Sequence, residues 1–203
     1  AGTTRRLATS PGLFCQIAQP DSDYLLVPRV SSERRTFVPI GFMPRAVVGN
    51  DQVLMVPGAT LLHFGIMSST MHNAWVRYTC GRLKSDFRYS KDIVYNNFPW
   101  PESPTDAQKQ KIEAAAQAVL DARAAHPNAS LADLYDPLTM PPNLVKAHQA
   151  LDVAVDAACA RKGFKSDAER VAFLFELYQR YTSLLPAAVL GRKGRKRVGQ
   201  KAS

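Results

Sequence analysis

Between Gly81 and Ser90 the sequence reads GRLKSDFRYS, with a charged side chain at every second position: Arg82, Lys84, Asp86 and Arg88. Successive side chains of an extended segment point to opposite faces, so the spacing predicts a charged row on one face and Leu83, Phe87 and Tyr89 buried on the other. The single acid among the bases has a specific chemical use. Lysine or arginine donates to the two major-groove acceptors of guanine, and aspartate accepts from the cytosine amine of the same pair. Lys84 and Asp86 together carry the donor and acceptor that read one G·C pair, while Arg82 and Arg88 suit neighbouring bases or phosphates. An exposed sheet edge guarded against aggregation by alternating charge would look the same. Pattern alone leaves both readings open.

A second basic cluster, Ser31-Ser32-Glu33-Arg34-Arg35, reads as a turn offering hydroxyl and guanidinium groups to phosphate. Plain solvated surface is the alternative. The formal charge of +9 is uneven: residues 1–104 carry +4, residues 105–190 carry −1, and residues 191–203 carry +6. A basic first half and a basic tail favour a polyanionic partner, most simply double-stranded DNA. The tail is expected to be disordered, and it is also readable as nothing more than a solubilising end.

Other chemistry is hard to place. No G-x-G-x-x-G or Walker-type run is present to cradle phosphate, and no Gly-x-Ser-x-Gly elbow accompanies Ser31 or Ser32. His63 and His72 lie nine residues apart without a third ligand, and Cys15, Cys80 and Cys159 form no Cys-x-x-Cys pair. Packing histidines, reduced thiols and no metal site are expected. Met140-Pro141-Pro142-Asn143 superficially resembles the base-flipping Asn-Pro-Pro-Tyr motif with its order changed, but its prolines suit a helix start. Asp133 is placed as a helix cap, so no paired-carboxylate site is expected. No catalytic residue is assigned.

The elements that must position these residues fall into two halves. LFCQIAQ, DYLLVPRV, RTFVPIGF, AVVG and QVLMVPG read as short strands between polar turns, in a compact sheet or barrel. From Leu61 the period changes: Met67, Met71, Ala74, Trp75 and Tyr78 predict the buried stripe of one helix that Gly81 stops. Phe98-Pro99-Trp100-Pro101 and Pro104 interrupt regular structure and suggest a domain boundary. Four helices follow, starting near Thr105, after Ser130, at Pro141-Pro142 and at Ser166, the second and fourth opening with a capping box. The expected class is α+β: a β-rich domain over residues 1–101, a small helical bundle over 102–190, and the tail 191–203. No apolar run of about 18 residues suggests a membrane span, no secretory signal is evident, and a cytoplasmic location is expected.

Three long stretches, QPDSDYLLVPRVSSERRTFVPIGF, HFGIMSSTMHNAWVRYTCGRLKSDFRYSKDIVYNNFPWPE and LADLYDPLTMPPNLVKAHQALDVAVDAA, together with FKSDAERVAFLFELY, resemble the C-terminal part of MmeI-like proteins. Those proteins combine a restriction nuclease, an adenine amino-methyltransferase and one DNA target-recognition domain in a single polypeptide. The resemblance implies that residues to about 100 are the target-recognition domain and that the helical domain beside it helps hold DNA. It implies base reading by Lys84, Asp86 and Arg88 in the Gly-Arg-Leu to Arg-Tyr-Ser segment, with a further contact near Gln52. The Lys-x-Asp pair resembles the version that reads guanine. Methyl-donor and nuclease motifs are absent from the chain, which is expected to be a fragment. The implied parent uses S-adenosylmethionine, and its methyltransferase domain is an expected partner. A helical protein-interaction adaptor and a small nucleic-acid enzyme with an unrecognised site are the competing classes.

Overall fold

Tyr24, Leu25 and Val27 bring the buried side chains of a short strand that lies at the centre of the first sheet. The computed structural model describes residues 19–159 and 163–183, together with Ala8. LFCQIAQ, apart from Gln19, and the basic tail therefore lie outside the described residues. Strand β1 (Tyr24–Pro28) pairs antiparallel with β3 (Gly41–Met43) on one side and β4 (Val53–Pro57) on the other, with Tyr24 opposite both Met43 and Pro57. A second sheet has the order β2 (Val30–Ser31), β6 (Asp86–Arg88), β5 (Gly81–Leu83), again antiparallel. The fold is α+β, with two three-stranded sheets among the described residues.

Arg29 joins the sheets through its backbone. Its N–H donates to the Gln52 carbonyl at 2.9 Å, and its own carbonyl accepts from Tyr89 N–H at 2.8 Å. Two expected strands take other forms. AVVG is a loop, tied by Tyr24 Oη and Gln19 Nε2 donating to the Val47 carbonyl. Of RTFVPIGF only Gly41 and Phe42 join a strand, because residues 36–40 form a strap whose polar backbone is satisfied by helix side chains. Val38 N–H donates to Asn73 Oδ1 at 2.8 Å, while Arg77 donates to the Thr36 carbonyl and Arg123 to that of Ile40. Pro39 has no N–H to give, and Phe37, Val38 and Ile40 are buried, so side-chain partners replace a ladder.

The helical stretch from Leu61 is broken in two, which corrects the single-helix expectation. Helix α1 (Leu61–Ser68) ends at Ser69, whose extended backbone begins α2 (Thr70–Thr79). Asp152, far along the chain, accepts from both the N–H and the hydroxyl of Thr70 at 2.6 and 2.5 Å, satisfying donors that the break exposes. Met67, Met71, Ala74 and Trp75 are buried as expected, but Tyr78 is 61% exposed. Helix α2 stops at Thr79; Gly81 is the first residue of β5 and not a left-handed cap.

In the second half lie α3 (Asp106–Ala124), α4 (Leu131–Leu134), α5 (Pro142–Cys159) and α6 (Asp167–Thr182). Thr105 with Gln108 and Ser130 with Asp133 form reciprocal capping boxes. At Ser166 the box is open: its hydroxyl takes Glu169 N–H, while the Glu169 carboxylate reaches back one residue further, to Lys165 N–H. Pro142 is the first residue of α5, and Asn143 donates to the Ala122 carbonyl and meets His126, so Met140–Asn143 is a helix start tied to α3.

The two halves share one apolar core. Gly65 of α1 lets α3 and α5 approach so closely that a Cβ there would lie 2.8 Å from Ile112 Cγ2 and 3.1 Å from Ala116 Cβ. Arg123, buried in α3, donates to the Ile40 carbonyl at 2.8 Å and twice to Tyr135 Oη, with its guanidinium over the Phe64 and Tyr135 rings. Tyr135 Oη also meets His148 Nε2 at 2.7 Å, and His148 stacks on Phe37. Burial first, and the nearby Arg123 charge second, push His148 down to about 3. The proline-rich connector is itself packed: Phe98 and Pro99 are buried, and Tyr181 donates to the Trp100 carbonyl.

Candidate nucleic-acid interface

GRLKSDFRYS is a two-residue β-hairpin and not one extended segment. Leu83 pairs with Asp86, Arg82 with Phe87 and Gly81 with Arg88, leaving Lys84 and Ser85 as the loop. Directly opposed residues share a face, so the turn reverses the phase of the alternation. Asp86, Arg88 and Leu83 share the outward face. Arg82 lies on the other face with Phe87, its guanidinium carbon 4.3 Å from the ring centroid. Phe87 and Tyr89 are buried as expected, but Leu83 is 51% exposed. Lys84 stands at the tip with φ of 55°, and Ser85 has no positive φ. That is the pattern of a II′ turn, whose first position favours glycine.

The base of the hairpin is clamped by α2. His72 Nε2 shares a 2.9 Å hydrogen bond with Tyr89 Oη, Phe98 meets the His72 ring edge-on, and Trp75 Nε1 donates to the Val94 carbonyl in the π turn Lys91–Tyr95. Burial pushes His72 down to about 3 and raises the Tyr89 hydroxyl far above its usual range. The other histidine, His63, receives the Thr60 N–H at the start of α1. Among the described residues no cluster of three or more metal-ligating side chains occurs.

The Ser31–Arg35 turn meets the hairpin directly. Glu33 N–H donates to Asp86 Oδ1 at 3.2 Å, and the Glu33 carboxylate lies 3.8 Å from Arg82. Ser31 pairs with Phe87, and its hydroxyl is buried without a partner, turned away from any surface ligand. Ser32 braces the turn, its carbonyl accepting from Arg35 N–H and its hydroxyl from Arg34 N–H. Arg34 is exposed, whereas Arg35 is half-buried with an unpartnered Nε. No ion pair engages Lys84, Arg88 or Arg34 among the described residues. Gln52 is exposed and sits beside Arg29, the residue that ties the hairpin base to the first sheet. The turn and the hairpin thus meet at Glu33 and Asp86, with Lys84, Arg88 and Arg34 exposed and Asp86 and Ser32 half-buried. Ser31 keeps its hydroxyl buried, and Arg82, itself exposed, projects from the face opposite Asp86 and Arg88. The hairpin went unrecognised in the sequence because Lys84-Ser85 lacks the usual Asn-Gly or Gly-x signal.

A cavity of about 280 Å³ lies beside the hairpin base, lined by Val27, Leu54, Val56, Tyr89, Lys91 and Tyr95 among others. It has no carboxylate to receive ribose hydroxyls and no glycine-rich turn, so its residues do not fit S-adenosylmethionine. No helix of the described residues is long and apolar enough to cross a membrane.

A small sheet that presents a basic, acid-containing hairpin, backed by a helical platform sharing its core, is the architecture of a recognition module. The chain belongs to the MmeI family: residues 1–102 match the MmeI target recognition domain and residues 104–186 the MmeI C-terminal domain. DNA methyltransferase A of Bacillus subtilis (strain 168) is 39% identical over 179 residues, covering 88% of this chain and 20% of that protein. The fold also matches the structure of the Type IIL restriction-modification enzyme MmeI in complex with DNA, with a TM-score of 0.84 and 53% identity over 91% of this chain and 24% of that one. The chain thus spans about a fifth to a quarter of the length of these relatives.

Proposed function

We propose that this chain is the sequence-reading part of a site-specific DNA adenine methyltransferase of a restriction-modification system, and that it reads double-stranded DNA through the outward face of its hairpin. The observation that carries this reading is the placement of half-buried Asp86 and exposed Arg88 on one face of the hairpin, with exposed Lys84 at the tip. Lys84 donates to guanine. Asp86, with Oδ1 engaged by Glu33 N–H, keeps Oδ2 to accept from the paired cytosine. Arg88 reads a neighbouring base, and Gln52 contributes a further base contact from beside Arg29. Arg34, with Ser32 and Arg35 in the same turn, holds phosphate. Methyl transfer belongs to a separate methyltransferase domain of the parent protein, which binds S-adenosylmethionine and acts as this chain's partner.

Selection of bound duplexes from a randomised library tests the assignment. The wild-type chain should prefer G·C at one position. Exchanging donor and acceptor with Lys84→Glu and Asp86→Arg should move that preference to C·G while affinity for non-specific DNA changes little. An unchanged preference refutes it. Binding that is insensitive to salt would instead favour a protein-interaction adaptor, since phosphate contacts release counterions.

A further inference from the structure

Arg82 has the residue type of a base reader but not the position of one. It projects from the hairpin face opposite Asp86 and Arg88, sets its guanidinium over the buried Phe87 ring, and donates through Nη1 to the Ser85 carbonyl at 2.9 Å. The same nitrogen is 3.8 Å from the Glu33 carboxylate, and the Glu33 backbone N–H holds Asp86 Oδ1. Arg82 therefore touches the loop at the Ser85 carbonyl, the strand after it at the Phe87 ring, and the residue whose backbone N–H holds Asp86. The loop needs such restraint, because Lys84 adopts a φ of 55° that a side chain with a Cβ rarely takes. Without a tie at Ser85, Lys84 would be free to leave that conformation and the donor would move away from the acceptor at Asp86.

We infer that Arg82, together with Glu33, is a positioning pair for specificity: it locks the Lys84–Ser85 turn and the Asp86 carboxylate into one reading geometry and contacts neither base nor phosphate. This rests on the proposed DNA-reading role of Lys84 and Asp86. It also makes the phosphate-holding turn and the base-reading hairpin one rigid unit, since Glu33 belongs to the first and grips the second.

The test compares the chain with its Arg82→Gln, Arg82→Lys and Glu33→Gln variants, reading base preference by duplex selection, salt dependence of affinity, and thermal unfolding. Arg82→Gln should lower discrimination at the Lys84–Asp86 base pair by about fivefold or more, the lower end of what one well-read pair is worth. Preference at other positions and the salt slope should stay as in the wild type, with the chain still folded. Arg82→Lys should restore part of the discrimination, because lysine can still donate to the Ser85 carbonyl; Glu33→Gln should give a smaller loss at the same base pair. A changed preference at a different base pair would show that Arg82 reads a base itself and overturn the inference. A salt slope lowered by about 0.9 with uniform weakening would show a phosphate contact and overturn it equally. Undiminished discrimination in Arg82→Gln would also refute it. If the wild-type chain shows no sequence preference at all, the DNA-reading role fails, and the positioning role falls with it.

Discussion

Replacing Gly65 by alanine sets two effects of known sign against each other. In an exposed helix the change stabilises by up to about 1 kcal/mol, because glycine loses more backbone freedom on folding. At Gly65 the new methyl would lie 2.8 Å from Ile112 Cγ2, 3.1 Å from Ala116 Cβ and 3.3 Å from Leu151 Cδ1. All three neighbours are fully buried, and Ala116 has no rotamer with which to retreat. Overpacking of this kind costs about 1–3 kcal/mol, so after a gain of about 1 kcal/mol the net effect should be destabilisation of up to about 2 kcal/mol. A double-mutant cycle with Ile112→Ala isolates the cause. Ile112→Ala alone should cost about 2–5 kcal/mol, and in that background Gly65→Ala should become neutral or stabilising, because the nearest clash is gone and the methyl enters a void. Urea unfolding of the four proteins measures the coupling. If Gly65→Ala stabilises the otherwise wild-type chain, the close approach of α1 to α3 and α5 is wrong. If the two changes simply add, Ile112 is not what the methyl strikes.

Acid should weaken the fold through its buried histidines. His72 and His148 are held near 3, below their usual value of about 6.5, so the unfolded chain binds more protons between those limits. Their contribution is complete above about pH 6.5 and is lost as pH falls toward 3, each histidine adding a slope of up to about 1.4 kcal/mol per pH unit. Urea midpoints taken every half unit should fall across this window and fall less steeply in His72→Gln; a flat profile from pH 6.5 to 4.5 contradicts the burial. Lys84→Gly should raise thermal stability, by about 1 kcal/mol, by relieving the positive φ, yet abolish preference at the base pair that Lys84 is proposed to read. Loss of stability on that change would show that the turn is not strained. Asp152→Ala removes both acceptor bonds from Thr70 and should cost about 1–2 kcal/mol, measured by thermal unfolding, whereas no change would mean that water caps α2 as well as Asp152 does.

Local structure is legible in the sequence where the partner lies within a turn of the chain. Thr105, Ser130 and Ser166 each cap the start of a helix. Signals were misread where a distant residue supplies the missing bond. Ser68-Ser69-Thr70 contains three hydroxyls able to compete for backbone hydrogen bonds, yet the break there is completed by Asp152 on α5. The apolar pattern of RTFVPIGF is that of a strand, but Asn73, Arg77 and Arg123 take the bonds a neighbouring strand would have made. In the hairpin, alternation continued through the loop residues, which hid the reversal of phase at Lys84-Ser85 and put Arg82 on the wrong face.

The strap at residues 36–40 also bears on how the chain reaches its native state. Its Ile40 carbonyl waits for a guanidinium 83 residues later, and its Thr36 carbonyl for one 41 residues later. The first of these closures is among the most non-local in the molecule, and loop entropy must be overcome before either returns any free energy. The helices should therefore associate first, with the strap and the sheets on either side of it ordering late in the folding reaction. Amide protons of Val38 and Ile40 would then gain protection after those of α3 and α5. A first half synthesised without the helices would have no native partner for the Ile40 carbonyl, so its folding is tied to helices that follow it in the chain.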